Sequence, residues 1–435
     1  MRGIEVVITG LGVVSPIGIG GEAFWAALST GRGGVRPISL LDVAGLPAPV
    51  AAEVANFDPK PFVTNRKSLK VMSRDAQLGV AAAALAGREA GIVPGTVDPE
   101  RFGIVLGADA ICGPLSESVA SYDRCMVDGH FDFRRWGTEG MAACYPLGFL
   151  SVLPNMIASH ISIAQDARGH NNTIHEDEMS SALAIGEAAS VIQRGAADVM
   201  MAGGASSQMH LFDFVRRAVM GILSPRGDDP EKIVRPFDAG RDGQVWGEGA
   251  AIFVLESRQH ATARGAKILA RLMGCAATCE PAIRNGGPTG LGLGRAIDGA
   301  LERAGLRAAK LHHVNAHGLS TRREDPLEAA ILHAKMPNTP VTALKGYFGN
   351  VGAAGTALQM AASVLSFAKG CVPATLNYEQ PDPNCPIRVL HGAPMPYSGG
   401  AALCTVWMPA GQAAAVVLGP EGEGSSQWAV GSGTE

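Results

Sequence analysis

Charge is scarce in this 435-residue chain. Asp, Glu, Lys and Arg make up 17% of it and the net charge is −4. No basic run with interleaved aromatics occurs, so nucleic acid is not an expected partner. Aromatics are also few, at 5%. The eight cysteines, at 112, 125, 144, 275, 279, 371, 385 and 404, form no CxxC pair. Cys275 and Cys279 lack the further ligands that a zinc site needs, so no metal and no cofactor is expected. Buried, reduced, structural thiols are the expectation for all eight. Long apolar runs are missing too. The most apolar stretch, 146–164, contains Pro154 and His160 and does not read as a membrane span. The opening MRGIEVVITG enters a strand pattern at once, without the apolar core and cleavage site of a signal peptide. A cytoplasmic location is therefore expected.

What is present is apolar and small. Hydrophobic residues reach 47% and glycines number 56. That suits a large compact protein with an ample core and close helix–sheet packing. EVVIT (5–9), RFGIVLG (101–107) and DVMMAGG (198–204) read as buried strands. AQLGVAAAALAGREAG (76–91) and SSALAIGEAASVIQRG (180–195) read as helices ending at glycine. The alternation recurs, with AAIFVLES (250–257) and LHHVNAHG (311–318) as strands, and DPLEAAILHAK (325–335) and AAGTALQMAASVLSFAKG (353–370) as helices. Strands alternating with helices predict an α/β architecture, and the repeated pattern hints at duplication.

The stretch TIHEDEMSSALAIGEAA, 173–189, runs three acids, Glu176, Asp177 and Glu178, into an apolar helix. Acids suit a helix start. A helix that is small and apolar nearly all round is buried, so its start near Glu178 is expected to open into a cavity. Such a place favours a nucleophile, because the helix terminus lowers the pKa of a group there.

Six ordered blocks carry a resemblance. They are VVITGLGVVSPIG (6–18), MSRDAQLGVAAA (72–83), GAADVMMAGGASS (195–207), RPFDAGRDGQVWGEGAAIFVLE (235–256), NAHGLSTRREDPLE (315–328) and KGYFGNVGAAG (345–355). Together the chain, from residue 3 to about 408, resembles the β-ketoacyl synthases, the condensing enzymes of fatty acid and polyketide synthesis. The resemblance implies a thiolase-like five-layer αβαβα fold built from two duplicated halves, here 1–258 and 259–410. Residues 411–435 are expected to form a disordered Gly/Ser/Glu-rich tail. The resemblance also implies an obligate dimer and a site of one cysteine and two histidines. The cysteine takes an acyl chain from an acyl carrier protein. The histidines stabilise charge as a malonyl carrier protein loses carbon dioxide.

The same alignment places Glu178 where the family has its cysteine. A carboxylate forms no thioester. The first histidine is retained as His317. The second is replaced by Asn350, which donates a hydrogen bond but exchanges no proton near neutral pH. Lys345 is retained, as are Asp325 and Glu328, while the family's acid on the following helix reads Gln359. The glycine-rich gate is matched to PYSGGAA, with Ser398 in place of the gating aromatic.

Scaffold kept and chemistry lost resembles the chain-length factor, or ketosynthase β, of type II polyketide synthases. That implies a non-catalytic subunit of a β-ketoacyl-carrier-protein synthase complex. Its partners would be an active ketosynthase (ketosynthase α) in a heterodimer, and an acyl carrier protein. By resemblance the wall of the acyl tunnel comes from 108–150, with Ile111, Leu115, Val119, Phe131, Phe133 and Trp136 as candidates. Ordinary core packing is the alternative for each. Glu178 is expected to cap its helix and pair with His317, or to accept a hydrogen bond from Asn350. Two other functions stay open: a malonyl-carrier-protein decarboxylase or an atypical acyltransferase or condensing enzyme using Glu178, and a homodimeric scaffold.

Overall fold

The computed structural model describes residues 4–46, 49–113, 115–281 and 288–422. Its first half runs β1 (Val6–Ser15), α1 (Arg74–Ala90), β2 (Phe102–Ala108), α2 (Leu115–Cys125), α3 (Met156–Gln165), β3 (Asn171–Ile174), α4 (Ser180–Gln193), β4 (Val199–Ser207), α5 (Leu211–Val219) and β5 (Glu248–Ser257). The second runs β6 (Ala270–Cys279), α6 (Leu291–Ala304), β7 (Leu311–Ala316), α7 (Glu324–Lys335), β8 (Val341–Ala343), α8 (Gly355–Lys369), β9 (Ala401–Trp407) and β10 (Gln412–Gly419).

The strands lie in the order β8-β7-β9-β10-β6-β1-β5-β4-β2-β3. The two halves of that path have the same topology. In the first, β2 is parallel to β3 and β4, and β5 is antiparallel to β4 and β1. In the second, β7 is parallel to β8 and β9, and β10 is antiparallel to β9 and β6. The halves meet where β1 pairs β6 over Val6↔Leu272 to Ile8↔Ala270. Equivalent helices follow equivalent strands, which is the signature of duplication.

Three core clusters separate the five layers. One holds residues of α1, α3 and the outer face of the first sheet, such as Leu78, Ile157 and Ile104. A second holds α6, α7 and the outer face of the other sheet, such as Ile297, Leu332 and Leu403. The central cluster joins α4 and α8 to both inner faces, through Ile185, Val191, Leu358 and Met360 against Val105, Phe253, Val406 and Val416. All these side chains are buried; α4 keeps a stripe of Leu183, Glu187, Ser190 and Gln193 in contact with solvent. Ser73 caps α1 by accepting from the Ala76 N–H at 3.1 Å, and Gly91 ends that helix in the left-handed region at φ 68°. Gly107 has to be glycine: a Cβ there would lie 2.5 Å from the Ser180 backbone. That contact seats the start of α4 on the end of β2.

Residues 412–419 are not tail. They form β10, buried between β9 and β6, because an Ala/Val run pairs well inside a sheet that is covered on both faces. The rest of the expected tail, from 423, lies outside the described residues. The cysteine expectation also needs correction. All eight are free, yet only Cys125, Cys385 and Cys404 are buried, while Cys144 and Cys279 are exposed.

Candidate functional site

The acids at 176–178 do not cap α4 with their side chains. A short 3-10 turn, Asp177–Met179, precedes the helix, and Asp177 is left-handed at φ 43°. Ser180 Oγ ties the turn, accepting from the Glu176 N–H at 2.9 Å and donating to the Asp177 carbonyl at 2.6 Å. Glu178 is thereby carried off the helix axis and into a cavity of about 500 Å³.

His317 stands at the end of β7 and approaches from the other half. Glu328 of α7 fixes its backbone, accepting from the N–H groups of His317 and Gly318, both at 2.8 Å. His317 Nε2 lies 2.6 Å from Glu178 Oε2, with the two side chains 2% and 14% exposed. The oxygen lies off the ring N–H direction, so the contact is a close charge–dipole approach more than a straight hydrogen bond. On the other side of the ring, Lys345 Nζ is 3.2 Å from Nδ1. A charged ammonium has only donors, so Nδ1 accepts and the ring proton faces Glu178. Asn350 Nδ2 donates to Glu178 Oε1 and to Gln244 Oε1, both at 2.8 Å.

The electrostatics follow. Burial alone raises the Glu178 carboxyl, but His317, Lys345 and Asn350 override it and hold the group at about 2. Burial lowers Lys345, against the opposing pull of Glu178, Glu328 and Asp325. Glu178, His317, Lys345 and Asn350 are thus brought together as the alignment expects, with both contacts proposed for Glu178 made at once. Asp325 supports the surrounding loops, accepting from Phe237 N at 2.8 Å and lying 3.8 Å from Arg241 Nε. Gln359 donates to the Ala316 carbonyl at 2.6 Å.

An ionised carboxylate that is hydrogen-bonded and charge-paired is a weak nucleophile and cannot hold a thioester. Asn350 offers a donor but is already engaged by two acceptors.

Ser398 does not line the Glu178 cavity. It is exposed, lies before the start of β9, and its N–H donates to His312 Nε2 at 3.3 Å. The β9 strand then runs roughly 23 Å at about 3.3 Å per residue. Met408 and Pro409, at its far end, line the cavity with Glu178. The paired glycines of PYSGG attract the alignment, whereas the turn that borders the cavity, Met408–Gly411, has one glycine only.

The six tunnel candidates divide. Ile111 is buried, as core packing expects. Leu115, Val119, Phe131 and Phe133 are exposed, Phe133 at 77%, and Trp136 is half-buried, so they are not core. Phe131 packs at a tilt against Phe133, Trp136 and Tyr122 at centroid distances of 6.4, 6.2 and 5.5 Å. None of the six lines the Glu178 cavity.

Residues 4–261 match the N-terminal domain of the beta-ketoacyl synthases, and 269–379 match their C-terminal domain. The chain belongs to the β-ketoacyl synthase family. It is 38% identical over 388 residues to a Streptomyces cyaneus protein named for polyketide beta-ketoacyl synthase 1, covering 88% of this chain and 90% of that one. Among solved structures it is similar to the ishigamide ketosynthase/chain length factor, with TM-score 0.86, 28% identity and coverage of 97% and 100%. It is also similar to a chain of the solved structure of a type II polyketide synthase acyl carrier protein in complex with its ketosynthase bound to the hexaketide, with TM-score 0.82, 26% identity and coverage of 97% of this chain and 100% of that one. Among the described residues of this ketosynthase-family chain, no helix is long and apolar enough to cross a membrane.

Among the cavity residues that escape sequence reading are Asp109, Gln208, Gln244 and Pro409. Gln244 lies inside the recognised block 235–256, and that block was the available signal for it. Asp109 directly follows a recognised strand but has no motif of its own.

Proposed function

We propose that this chain is a non-catalytic subunit of the chain-length-factor type, pairing with an active ketosynthase and serving an acyl carrier protein. The observation that carries the reading is the Glu178–His317 contact. The position that the family gives to its nucleophile is filled by a carboxylate locked to the remaining histidine. The scaffold around it is intact.

The outer face of 115–149 supports the partner. More than half of the large hydrophobic side chains exposed among the described residues fall between Leu115 and Phe149. They include Tyr122, Met141, Tyr145 and Leu147. A patch of this kind marks an interface, because water contact with so much apolar surface is costly. The aromatic group of Phe131, Phe133 and Trp136 is large enough to wall a tunnel formed with the partner. Among the described residues, strand β3 ends the sheet with an edge that no other strand pairs.

Co-expression with the ketosynthase encoded beside it tests the reading. A 1:1 complex by native mass is expected, with no turnover of malonyl-carrier protein by this chain alone. A homodimer that ignores the ketosynthase would refute the pairing, and decarboxylation by the isolated chain would refute the loss of chemistry.

A further inference from the structure

The Glu178 cavity carries positive charge that no part of the reading above uses. Arg217, Arg322 and Arg323 line it. Arg217 lies on α5, three residues after the buried Phe214, so the two share a helix face. Phe214 packs in one cluster with Trp246. The Arg217 guanidinium lies over the Trp246 ring, 3.9 Å from its centroid. Trp246 is 4% exposed, and its carbonyl is fixed by the Ala52 N–H at 2.8 Å. Two donors on this wall, Arg217 Nε and Trp246 Nε1, are buried without an acceptor among the described residues. A buried donor left so is costly, and an acceptor brought by a ligand relieves that cost. Neighbouring arginines are neutralised: Arg216 reaches Asp213 at 3.3 Å and Arg226 reaches Asp242 at 2.7 Å. Arg217, Arg322 and Arg323 form no ion pair with an acid among the described residues. Arg322 Nε donates only to the Arg241 carbonyl, at 3.2 Å.

We propose that Arg217, laid on Trp246, anchors a phosphate group at the rim of the Glu178 cavity, for a ligand that is anionic at that end and neutral where it passes Glu178.

Five acids line the same cavity, and they decide where the anion sits. Asp242 is paired with Arg226, and Glu178 is held by His317 and Asn350. Glu324 accepts from Thr321 Oγ1. Asp109, directly after β2, accepts on Oδ2 from Ser206 Oγ at 2.6 Å, Gln208 Nε2 at 2.6 Å and the Ala353 N–H at 2.9 Å. Asp177 adds a fifth. The buried acids, Glu178 and Asp109, repel an anion from the floor. The half-buried Arg217 and the exposed Arg322 and Arg323 attract it to the open side. A guanidinium presents its donors as a rigid planar fork that matches phosphate, and an aromatic face holds that plane. A phosphate ester offers more free oxygens than a carboxylate, so several arginines can share it. The ligand class is therefore a phosphate ester on a neutral arm.

The choice of arm for the probe rests on the carrier-protein reading; the assignment of Arg217 does not. Acetyl-phosphopantetheine and acetyl-pantetheine, which differ by that phosphate alone, are titrated calorimetrically into the purified full-length protein at pH 7. The phosphorylated form should bind about ten- to a hundredfold tighter, the worth of one charge-assisted hydrogen bond. The preference should shrink as ionic strength rises from about 0.01 to 1 M, since the screening length falls from about 30 to 3 Å. Arg217→Gln should cut the preference to about threefold or less. Arg217→Lys keeps the charge, loses the fork and should retain part of it. Arg216→Gln removes the same charge from the same helix and should leave the preference intact. Equal binding of the two probes, a preference indifferent to salt, or an equal loss in Arg216→Gln would each overturn the proposal. The wild-type titrations decide even if the variants fail to fold. Displacement of the probe by holo carrier protein assigns the phosphate to a tethered arm, and lack of displacement assigns it to a free ester; Arg217 stands in both. If neither probe binds, inorganic phosphate bound in an Arg217-dependent way upholds the anchor while the carrier-protein reading fails, and no binding of inorganic phosphate overturns the anchor as well.

Discussion

Replacing Glu178 by Gln removes the charge and keeps the shape. In the wild-type fold the carboxyl sits at about 2, against an ordinary 4.5. That difference favours the folded state by about 3 kcal/mol at neutral pH, as an order of magnitude. The folded pKa is the lower one, so this stability is fully present above 4.5 and is lost as pH falls toward 2. The amide adds a second difficulty. Its oxygen can accept from Asn350, but its NH₂ then faces the ring proton of His317, and two donors oppose each other. Moving the ring proton to Nδ1 relieves that clash only by opposing Lys345 instead. With an unfolding entropy of about 2.1 cal/mol/K per residue, a protein of this size loses roughly 3 °C of melting temperature for 3 kcal/mol. Differential scanning fluorimetry of the wild type and Glu178→Gln, from pH 7 downward, reads both parts. The gap should be constant down to about pH 5 and close below 4.5. A variant that melts with or above the wild type at pH 7 would show that the charge on Glu178 does not stabilise the fold. A gap that ignores pH would show that its cost is packing alone.

Three further outcomes follow from the geometry. Phe131→Asp places a charge in the middle of the exposed aromatic group; it should leave the melting temperature of the isolated chain nearly unchanged and abolish the complex with the ketosynthase, read by native mass. Ser398→Ala should change neither pairing nor ligand binding, whereas Pro409→Phe should block the cavity to acetyl-pantetheine in a titration; a reversed result would return the gate to Ser398. Gly352→Ala should lower the melting temperature by more than Glu178→Gln, because its Cβ meets Asp109 Oδ2 and its φ is left-handed, a conformation worth about 1–3 kcal/mol of strain by itself.

Much of the fold was legible because its strands and helices carry clean periodicity. The helices read at 76–91, 180–195, 325–335 and 353–370 match α1, α4, α7 and α8 to within three residues at either end. The strands that escaped are β3, β6, β8, β9 and β10. Ala, Gly and Cys supply six of the ten residues of β6, four of the eight of β10 and three of the seven of β9, and such residues carry little β propensity until a packed sheet surrounds them. The site was legible where a motif named it, at His317, Lys345 and Asn350. Glu178 was visible as a departure from a motif. Asp109 was not visible at all, since its meaning depends on the end of β2 meeting the Gly352 turn of the other half. Pro409 was hidden by a more conspicuous glycine pair. The exposure of Phe131 and Phe133 was hidden too, because apolar spacing cannot tell a core from an interface.

The departures from the family are not independent losses. The alignment places the family's acid on the helix after the lysine at position 359, and here that residue is Gln359. A carboxylate has appeared instead at 178. The negative charge has in effect moved from the wall of the site to its centre, while Lys345 has stayed. Lys345 is buried and would be costly to leave charged without an anion nearby. Glu178 supplies that anion through the His317 ring, and Glu328 and Asp325 contribute from behind. Gln359, now neutral, turns its amide to the Ala316 carbonyl and helps hold the strand end that carries His317. Asn350 then fits the new arrangement better than a histidine would, because its NH₂ reaches Glu178 and Gln244 together. Restoring one residue alone should therefore fail to restore the chemistry. Glu178→Cys leaves Lys345 without its partner through the ring and leaves Asn350 with nothing to exchange. Mass spectrometry of Glu178→Cys after incubation with an acyl carrier protein substrate should find, at most, an acyl adduct and no condensed product. Condensed product from that single change would mean that the site kept its catalytic poise and lost only its nucleophile.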